Sequence, residues 1–141
     1  MDRLYHQTMV IIKPDAVKRG LVGEIIGRYE QKGLTIDKMK YLKPSVEILS
    51  EHYSEHIQQP FFNKLIEFMS SGEVVVMVLV GVDAVDVVRS INGATHYKDA
   101  LPGTIRGTYA LDITENLVHG SDSSESAKRE IEIWFRSEAI L

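Results

Sequence analysis

The architecture turns on Val74-Val75-Val76-Met77-Val78-Leu79-Val80, the longest unbroken apolar run in the chain. It is far too short to span a bilayer, which takes roughly 20 residues. Its β-branched side chains are stiff at χ1 and pack well on a pleated surface, so it reads as a buried strand. Helical patterns flank it. Upstream, Pro60 opens a stripe of Phe61, Leu65, Phe68 and Met69 that Ser71-Gly72 ends. Downstream, Asp83 is placed to cap a helix carrying Ala84, Val87, Val88 and Ile91.

Further out, Met9 to Ile12 reads as a second strand, with Lys13 at its exit because Pro14 biases it toward an extended backbone. Leu21, Ile25, Ile26 and Tyr29 form one helical stripe closed by Gly33. Leu34 to Leu42 alternates imperfectly, as a half-exposed strand does, and Ser45 can cap a helix through Tyr53. Between Asn92 and Glu115 no period holds, and Gly93, Pro102, Gly103 and Gly107 break the pattern. A loop that long in a compact domain is usually functional. Leu117-Val118-His119 reads as a short strand, and Ser121 to Ser123 offers caps for a last helix carrying Ala127 and Ile131.

Two split β-α-β units in this order predict an α+β fold. The expected form is a ferredoxin-like sandwich: a four-stranded antiparallel sheet with helices on one face. A doubly wound parallel sheet is the competing topology. With no repeat or linker, residues 1–141 are expected to form a single domain.

The 141 residues are 44% hydrophobic and 26% charged, which excludes a disordered chain. There is no cysteine, so disulfides, thiolate nucleophiles and Cys-based zinc sites are excluded. Met1 to His6 has no apolar core of signal-peptide length, and a cytoplasmic location is expected. The net charge of −4 disfavours a broad grip on nucleic acid; an anion site must be a local cluster of cations.

Several phosphate motifs are missing. There is neither a Gly-x-x-x-x-Gly-Lys-Ser/Thr loop nor a Gly-x-Gly-x-x-Gly, and His-Glu-x-x-His is absent too. His52 and His56 stand at i, i+4 spacing and read as two histidines on a solvated helix face. His119 differs: it ends a short strand just before Gly120, which leaves space beside the ring, and Glu130 on the following helix can fold back toward it. A carboxylate on one ring nitrogen fixes the tautomer and frees the other nitrogen to attack. Spacing alone also allows a purely structural histidine. Lys13, Arg89 and Arg106 suit phosphate oxygens, and Thr95, Thr104, Gly103 and Gly107 lie in the same long loop. Singly, each cation reads as a surface charge rather than a phosphate ligand.

Six blocks together carry a resemblance. They are Ile12-Lys13-Pro14-Asp15-Ala16-Val17, Arg19-Gly20-Leu21-Val22-Gly23-Glu24-Ile25, Pro60-Phe61-Phe62, Gly93-Ala94-Thr95, Pro102-Gly103-Thr104-Ile105-Arg106-Gly107 and Asn116-Leu117-Val118-His119-Gly120-Ser121-Asp122-Ser123. In this order they resemble the nucleoside diphosphate kinase family along nearly the whole chain.

The resemblance implies that His119 takes the terminal phosphoryl group from a nucleoside triphosphate and passes it to a nucleoside diphosphate, in a ping-pong cycle through a phosphohistidine. Glu130 and Ser121 would orient and polarise that ring, with Tyr53 supporting it. Arg89, Thr95 and Arg106 would hold the distal phosphates, with Mg²⁺ bridging phosphate oxygens rather than held by protein ligands. Lys13 and Asn116 would contact the ribose, Lys13 also assisting the transferred phosphate. Phe61 would stack on the base and Leu65 would wall it, giving broad base tolerance. A homo-oligomer is implied, a hexamer rather than a tetramer, with no membrane or nucleic-acid partner.

Three sites depart from the family pattern: Glu73 where proline is usual, His96-Tyr97 where Asn-Pro is usual, and Thr108-Tyr109 where an acidic residue linked to Gly107 is usual. Two rival readings remain: a phosphohistidine carrier fed by another donor, and an inactive nucleotide-binding regulatory module.

Overall fold

The apolar run Val74–Val80 forms most of β3 (Val74–Val82), an interior strand of the sheet in this computed structural model, which describes residues 5–136. Met1 to Leu4, part of the signal-peptide reading, and residues 137–141 of the expected domain lie outside the described residues.

The sheet runs in the order β2-β3-β1-β4 with β1 (Tyr5–Ile12), β2 (Thr35–Leu42) and β4 (Val118–Gly120). Every neighbouring pair is antiparallel. This is the expected ferredoxin-like α+β arrangement, and the parallel alternative does not hold.

One detail of the expectation is corrected: helices cover both faces of the sheet. Val10 and Ile12 of β1 point into one cluster, with Ile25 and Tyr29 of α2 (Val22–Gln31) and Ala84 and Val88 of α5 (Ala84–Asn92). Met9 and Ile11 point into the other. That second cluster holds Leu49 of α3 (Val46–His52), Met69 of α4 (Phe62–Met69), and Ile133, Trp134 and Phe135 of α7 (Ser124–Phe135). The physical reason lies in β3 itself. A strand with one wet face alternates polar and apolar, whereas Val74 to Leu79 is buried without a break and needs cover on both sides.

β2 shows the contrast. It lies at the sheet edge, its register slips at a bulge between Ile36 and Lys38, and Met39 and Tyr41 are exposed. The bulge accounts for its imperfect alternation.

Several local features follow from single residues. A short α1 (Pro14–Lys18), absent from the sequence reading, starts directly after β1; Pro14 takes the first helical turn, where its missing N–H costs nothing. Ser45 caps α3 by accepting the N–H of Ile48, and Ser123 caps α7 by accepting that of Ser126. Asp83 does not cap α5 with its side chain as expected; it occupies the N-cap position with a left-handed backbone, φ 51°.

The long aperiodic stretch contains α6 (Ile105–Tyr109), capped by Thr104, whose Oγ1 accepts the N–H of Gly107. A Cβ on Gly107 would overlap the Leu101 carbonyl, so the turn requires glycine there. The departures from the family pattern are accommodated locally. Glu73 and Thr108 are exposed, and His96 stacks on Tyr97 while its Nδ1 accepts the N–H of Lys98.

Candidate active site

The two helical layers meet at β4, the edge strand beside β1. Strand alternation decides what each side of β4 sees. His119 pairs with Ile11 and so faces the α3/α7 layer, while Val118 packs with the α2/α5 layer. Gly120 also faces α5: a Cβ there would come within 2.9 Å of Asn92 Nδ2 and 3.1 Å of Val88 Cγ1. The glycine therefore makes room for α5, not for the His119 ring as the sequence reading has it.

A cleft of about 540 Å³ opens at this end of the sheet. Lys13, Tyr53, Phe61, Leu65, Arg89, Thr95, Arg106, Asn116, His119 and Glu130 all line it. Ser121 lies fully buried behind Glu130, and Thr104 is turned away to cap α6.

His119 is held at one nitrogen. Its Nε2 lies 3.0 Å from Glu130 Oε1, near the middle of α7. The same oxygen accepts from Ser121 Oγ at 2.6 Å, and Ser121 Oγ in turn accepts the N–H of Met9 at 3.2 Å. Ser121 thus acts on the histidine through Glu130. Burial alone would raise the Glu130 carboxyl, but the hydrogen bond and charge of His119, with His52 and Ser121 adding to them, bring it below its ordinary value. An ionised Glu130 accepts a hydrogen bond from Nε2–H, which leaves the lone pair on Nδ1.

The cations are set differently. Arg106 spends its fork on backbone: Nη1 donates to Gly93 O at 2.7 Å and Nη2 to Val118 O at 2.6 Å. Its Nε is buried without a partner. Burial lowers its pKa to about 10, yet it stays cationic at neutral pH. Arg89 Nη1 reaches the Gly120 carbonyl at 3.4 Å.

Lys13 Nζ donates to Asn116 Oδ1 at 2.8 Å and reaches Thr114 O at 3.4 Å. Burial lowers its pKa to about 8, with the Arg106 charge adding to the effect and Asp15 opposing it. Asn116 Nδ2 donates to the Thr95 and Ile113 carbonyls, tying the loop to the strand. Next to it, Leu117 adopts φ 80°, a backbone that a branched residue resists. Its N–H is held by Asp15 Oδ2 and its carbonyl by the N–H of Lys13.

Phe61 stands at the mouth, 47% exposed, with the His56 ring 5.5 Å away. Ile113, half exposed, lines the same cleft and escaped the sequence reading, since it lies in the aperiodic loop. Asp122 and Arg129 also reach it.

The reading of His52 needs correction. It is buried, not on a solvated face. Helix α3 ends at His52 and a 3₁₀ turn (Ser54–His56) follows, so the helical spacing between His52 and His56 does not operate. The usable signal was Leu49: residues three and four positions beyond it, His52 and Tyr53, share its buried stripe. Tyr53 stacks edge-on against His52, with centroids 4.5 Å apart, and burial raises its pKa.

A sandwich of this topology, with a carboxylate-held histidine sharing a cleft with one buried and one exposed arginine, has the makings of a phosphotransferase. The chain belongs to the nucleoside diphosphate kinase family, whose model matches residues 6–140. Nucleoside diphosphate kinase from Caldanaerobacter subterraneus subsp. tengcongensis is 62% identical over 128 residues, covering 91% of this chain and 92% of that one. That from Thermus thermophilus is 53% identical over 135 residues, covering 96% and 98%. The crystal structure of nucleoside diphosphate kinase from Encephalitozoon cuniculi superposes with a TM-score of 0.90 at 45% identity, over 92% of this chain and 88% of that one.

Proposed function

We propose that this chain is a nucleoside diphosphate kinase in which His119 Nδ1 carries the phosphoryl group. The supporting observation is the Nε2–Glu130 bond at 3.0 Å, which commits one ring nitrogen and leaves the other at the cleft. In the first half-reaction the Nδ1 lone pair forms a bond to the terminal phosphorus of a nucleoside triphosphate. The bond from phosphorus to the bridging oxygen breaks, and the diphosphate leaves with that electron pair. In the second half-reaction a terminal oxygen of another nucleoside diphosphate attacks, and the N–P bond breaks back onto Nδ1.

Transfer of this kind asks the protein for positioning and charge neutralisation. Arg89 and Arg106 hold the phosphates with Thr95 on the same cleft. Lys13 and Asn116, already bonded to each other, meet the ribose and the transferred group. Phe61 stacks on the base with Leu65 beside it. Stacking suits every base, so purines and pyrimidines are turned over at comparable rates.

The donor set around the cleft fits Mg²⁺ only as part of a nucleotide complex. Glu130 is committed to His119 and Ser121, and the cleft's other carboxylates, Glu55 and Asp122, stand against the cations Lys13, Arg89, Arg106 and Arg129. A hard cation wants several oxygens, and here the phosphates are the available source. Bound there, Mg²⁺ would supply charge neutralisation.

The same reading carries a homo-oligomer of six rather than four subunits and a cytoplasmic location. No described helix is long and apolar enough to cross a membrane. A measured solution mass tests the subunit number.

Incubation with labelled ATP and Mg²⁺ tests the reaction. An acid-labile, alkali-stable protein adduct is expected, discharged by any nucleoside diphosphate and absent in His119→Ala. A carrier fed by another donor would not need Phe61, Lys13 and Asn116 on the same cleft. Lack of an adduct in the unaltered protein would leave the inactive module as the better description.

A further inference from the structure

His52 is a titratable side chain in the cleft wall with no task in the reaction just described. It is 5% exposed at the end of α3, and its ring stands at 79° to that of His119, with centroids 4.7 Å apart. Trp134, fully buried on α7, donates its Nε1–H to His52 Nδ1 at 3.0 Å. A neutral imidazole that accepts at Nδ1 carries its proton on Nε2, so one tautomer is selected. The backbone is fastened as well. Arg129, the neighbour of Glu130, donates to the carbonyls of Glu51 at 2.5 Å and His52 at 3.3 Å.

We propose that His52 is a positioning residue for phosphoryl transfer: a tautomer-locked imidazole whose edge contact fixes the plane of the His119 ring. The inference rests on the reading of His119 as nucleophile. One hydrogen bond at Nε2 holds a point on the ring but leaves its plane free to rotate. The χ2 torsion of histidine is broad, so the torsion itself supplies little restraint. A second rigid contact settles the plane, and with it the direction of the Nδ1 lone pair. Misdirected lone pairs forfeit in-line attack.

Burial lowers the pKa of His52 to about 3, the proximity of His119 adds to the effect, and Arg129 and Lys13 act the same way against Glu130. The ring therefore stays uncharged throughout the working range and adds no positive charge beside His119. Donor atoms of His52, His119 and Glu130 lie within 4.8 Å of one another. Since Trp134 engages Nδ1 of His52 and Glu130 engages Nε2 of His119, the group is a hydrogen-bonded network rather than an open set of metal ligands.

The test separates the ring contact from the hydrogen bond. In His52→Asn, the amide oxygen replaces Nδ1 as acceptor for Trp134, and the ring is gone. In His52→Phe, the ring stays and the acceptor is lost. Single-turnover phosphorylation by ATP·Mg²⁺ and urea unfolding are measured for both. For His52→Asn the urea midpoint stays near that of the unaltered protein. Its phosphorylation rate falls by about 10- to 100-fold, with KM for ATP within about twofold. For His52→Phe the urea midpoint drops, while the rate per folded molecule stays above that of His52→Asn. The opposite ranking, with rate following stability and His52→Asn as fast as the unaltered protein, would overturn the proposal. Should His52→Asn not fold, Trp134→Phe unlocks the His52 ring and leaves it in place. A loss of about threefold or more is then expected, and an unchanged rate overturns the proposal. If the unaltered protein takes up no phosphoryl group, or His119→Ala still does, the assignment of the nucleophile itself fails, which is a different result from an insensitive His52.

Discussion

The two helical layers that meet at β4 contribute different things to the cleft. From the α5/α6 side come Arg89 and Arg106, fixed charges whose guanidinium groups are anchored on backbone carbonyls. From the α3/α7 side come Glu130, His52 and Tyr53, which hold or surround the histidine with almost no net charge of their own besides the carboxylate. On the proposed reading, one side neutralises and the other aims. The strand between them carries His119 toward the aiming side and leaves only Val118 and Gly120 toward the charged side. Substitutions on the two sides are therefore expected to fail in different ways.

The largest effect belongs to the residue both sides serve. His119→Ala is expected to lower nucleotide exchange by about 1,000-fold or more, because no other group takes its bond-forming part. Steady-state transfer from ATP to a second diphosphate measures it.

Arg106→Ala comes next and should break the charged side twice over. It removes a phosphate ligand and leaves the Gly93 and Val118 carbonyls without their donors. A loss of about 100- to 1,000-fold in kcat/KM is expected, together with a lower Tm in calorimetry. Arg106→Lys should restore the charge but not the fork, and so recover little.

On the aiming side, Glu130→Gln keeps an acceptor but removes the carboxylate charge. About a 10- to 100-fold fall in kcat with little change in KM is expected; a pure KM effect would erase the distinction between the sides.

Phe61→Ala touches neither side. Loss of stacking worth about 1–3 kcal/mol should raise KM for every nucleotide alike, with kcat nearly unchanged. A base-dependent effect would show that Phe61 discriminates between bases.

The smallest effect is a pH dependence. The folded pKa of Lys13 is near 8, below its ordinary value of 10.5. Between these values the unfolded chain binds a proton that the folded chain does not, so this group's contribution to stability rises with pH across that window. Function moves the other way. Above about pH 8 the free enzyme loses a cation from the cleft, and KM for nucleotide is expected to climb by a few-fold. Lys13→Met should flatten that climb.

The sequence made the helices of both layers legible, but not that they lie on opposite faces of the sheet. The helices α2 and α5 were visible because Ile25 with Tyr29, and Ala84 with Val88, repeat at helical spacing between two strands. The unbroken burial of Val74 to Leu79 was itself a sign of a second layer, but a short apolar run does not say what covers it. With the second face unassigned, His52 looked like one of two surface histidines, although Leu49 places it on a buried stripe. His119 and Lys13 could be found as chemically distinctive residues at strand ends and Arg106 as one in a glycine-rich stretch, while Glu130 and Arg89 stand on helices. What they bond to could not be found. The pairing of Arg106 with Gly93 and Val118 carbonyls depends on tertiary approach, as does that of Lys13 with Asn116. The left-handed backbone of Leu117 had no signal either, since the residue is neither glycine nor asparagine.

The histidine is carried by β4, the shortest strand of the sheet, three residues long and bonded to β1 alone. Its anchor joins Met9 to Ser121 across 112 positions of chain. During synthesis the first strand is made early and must wait for almost the whole polypeptide before the imidazole can dock against it. On the proposed reading, catalytic competence thus arrives with a contact that spans most of the described chain. An incomplete copy that stops short of Ser121 would retain β1, β2 and β3 yet lack the clasp that seats its nucleophile.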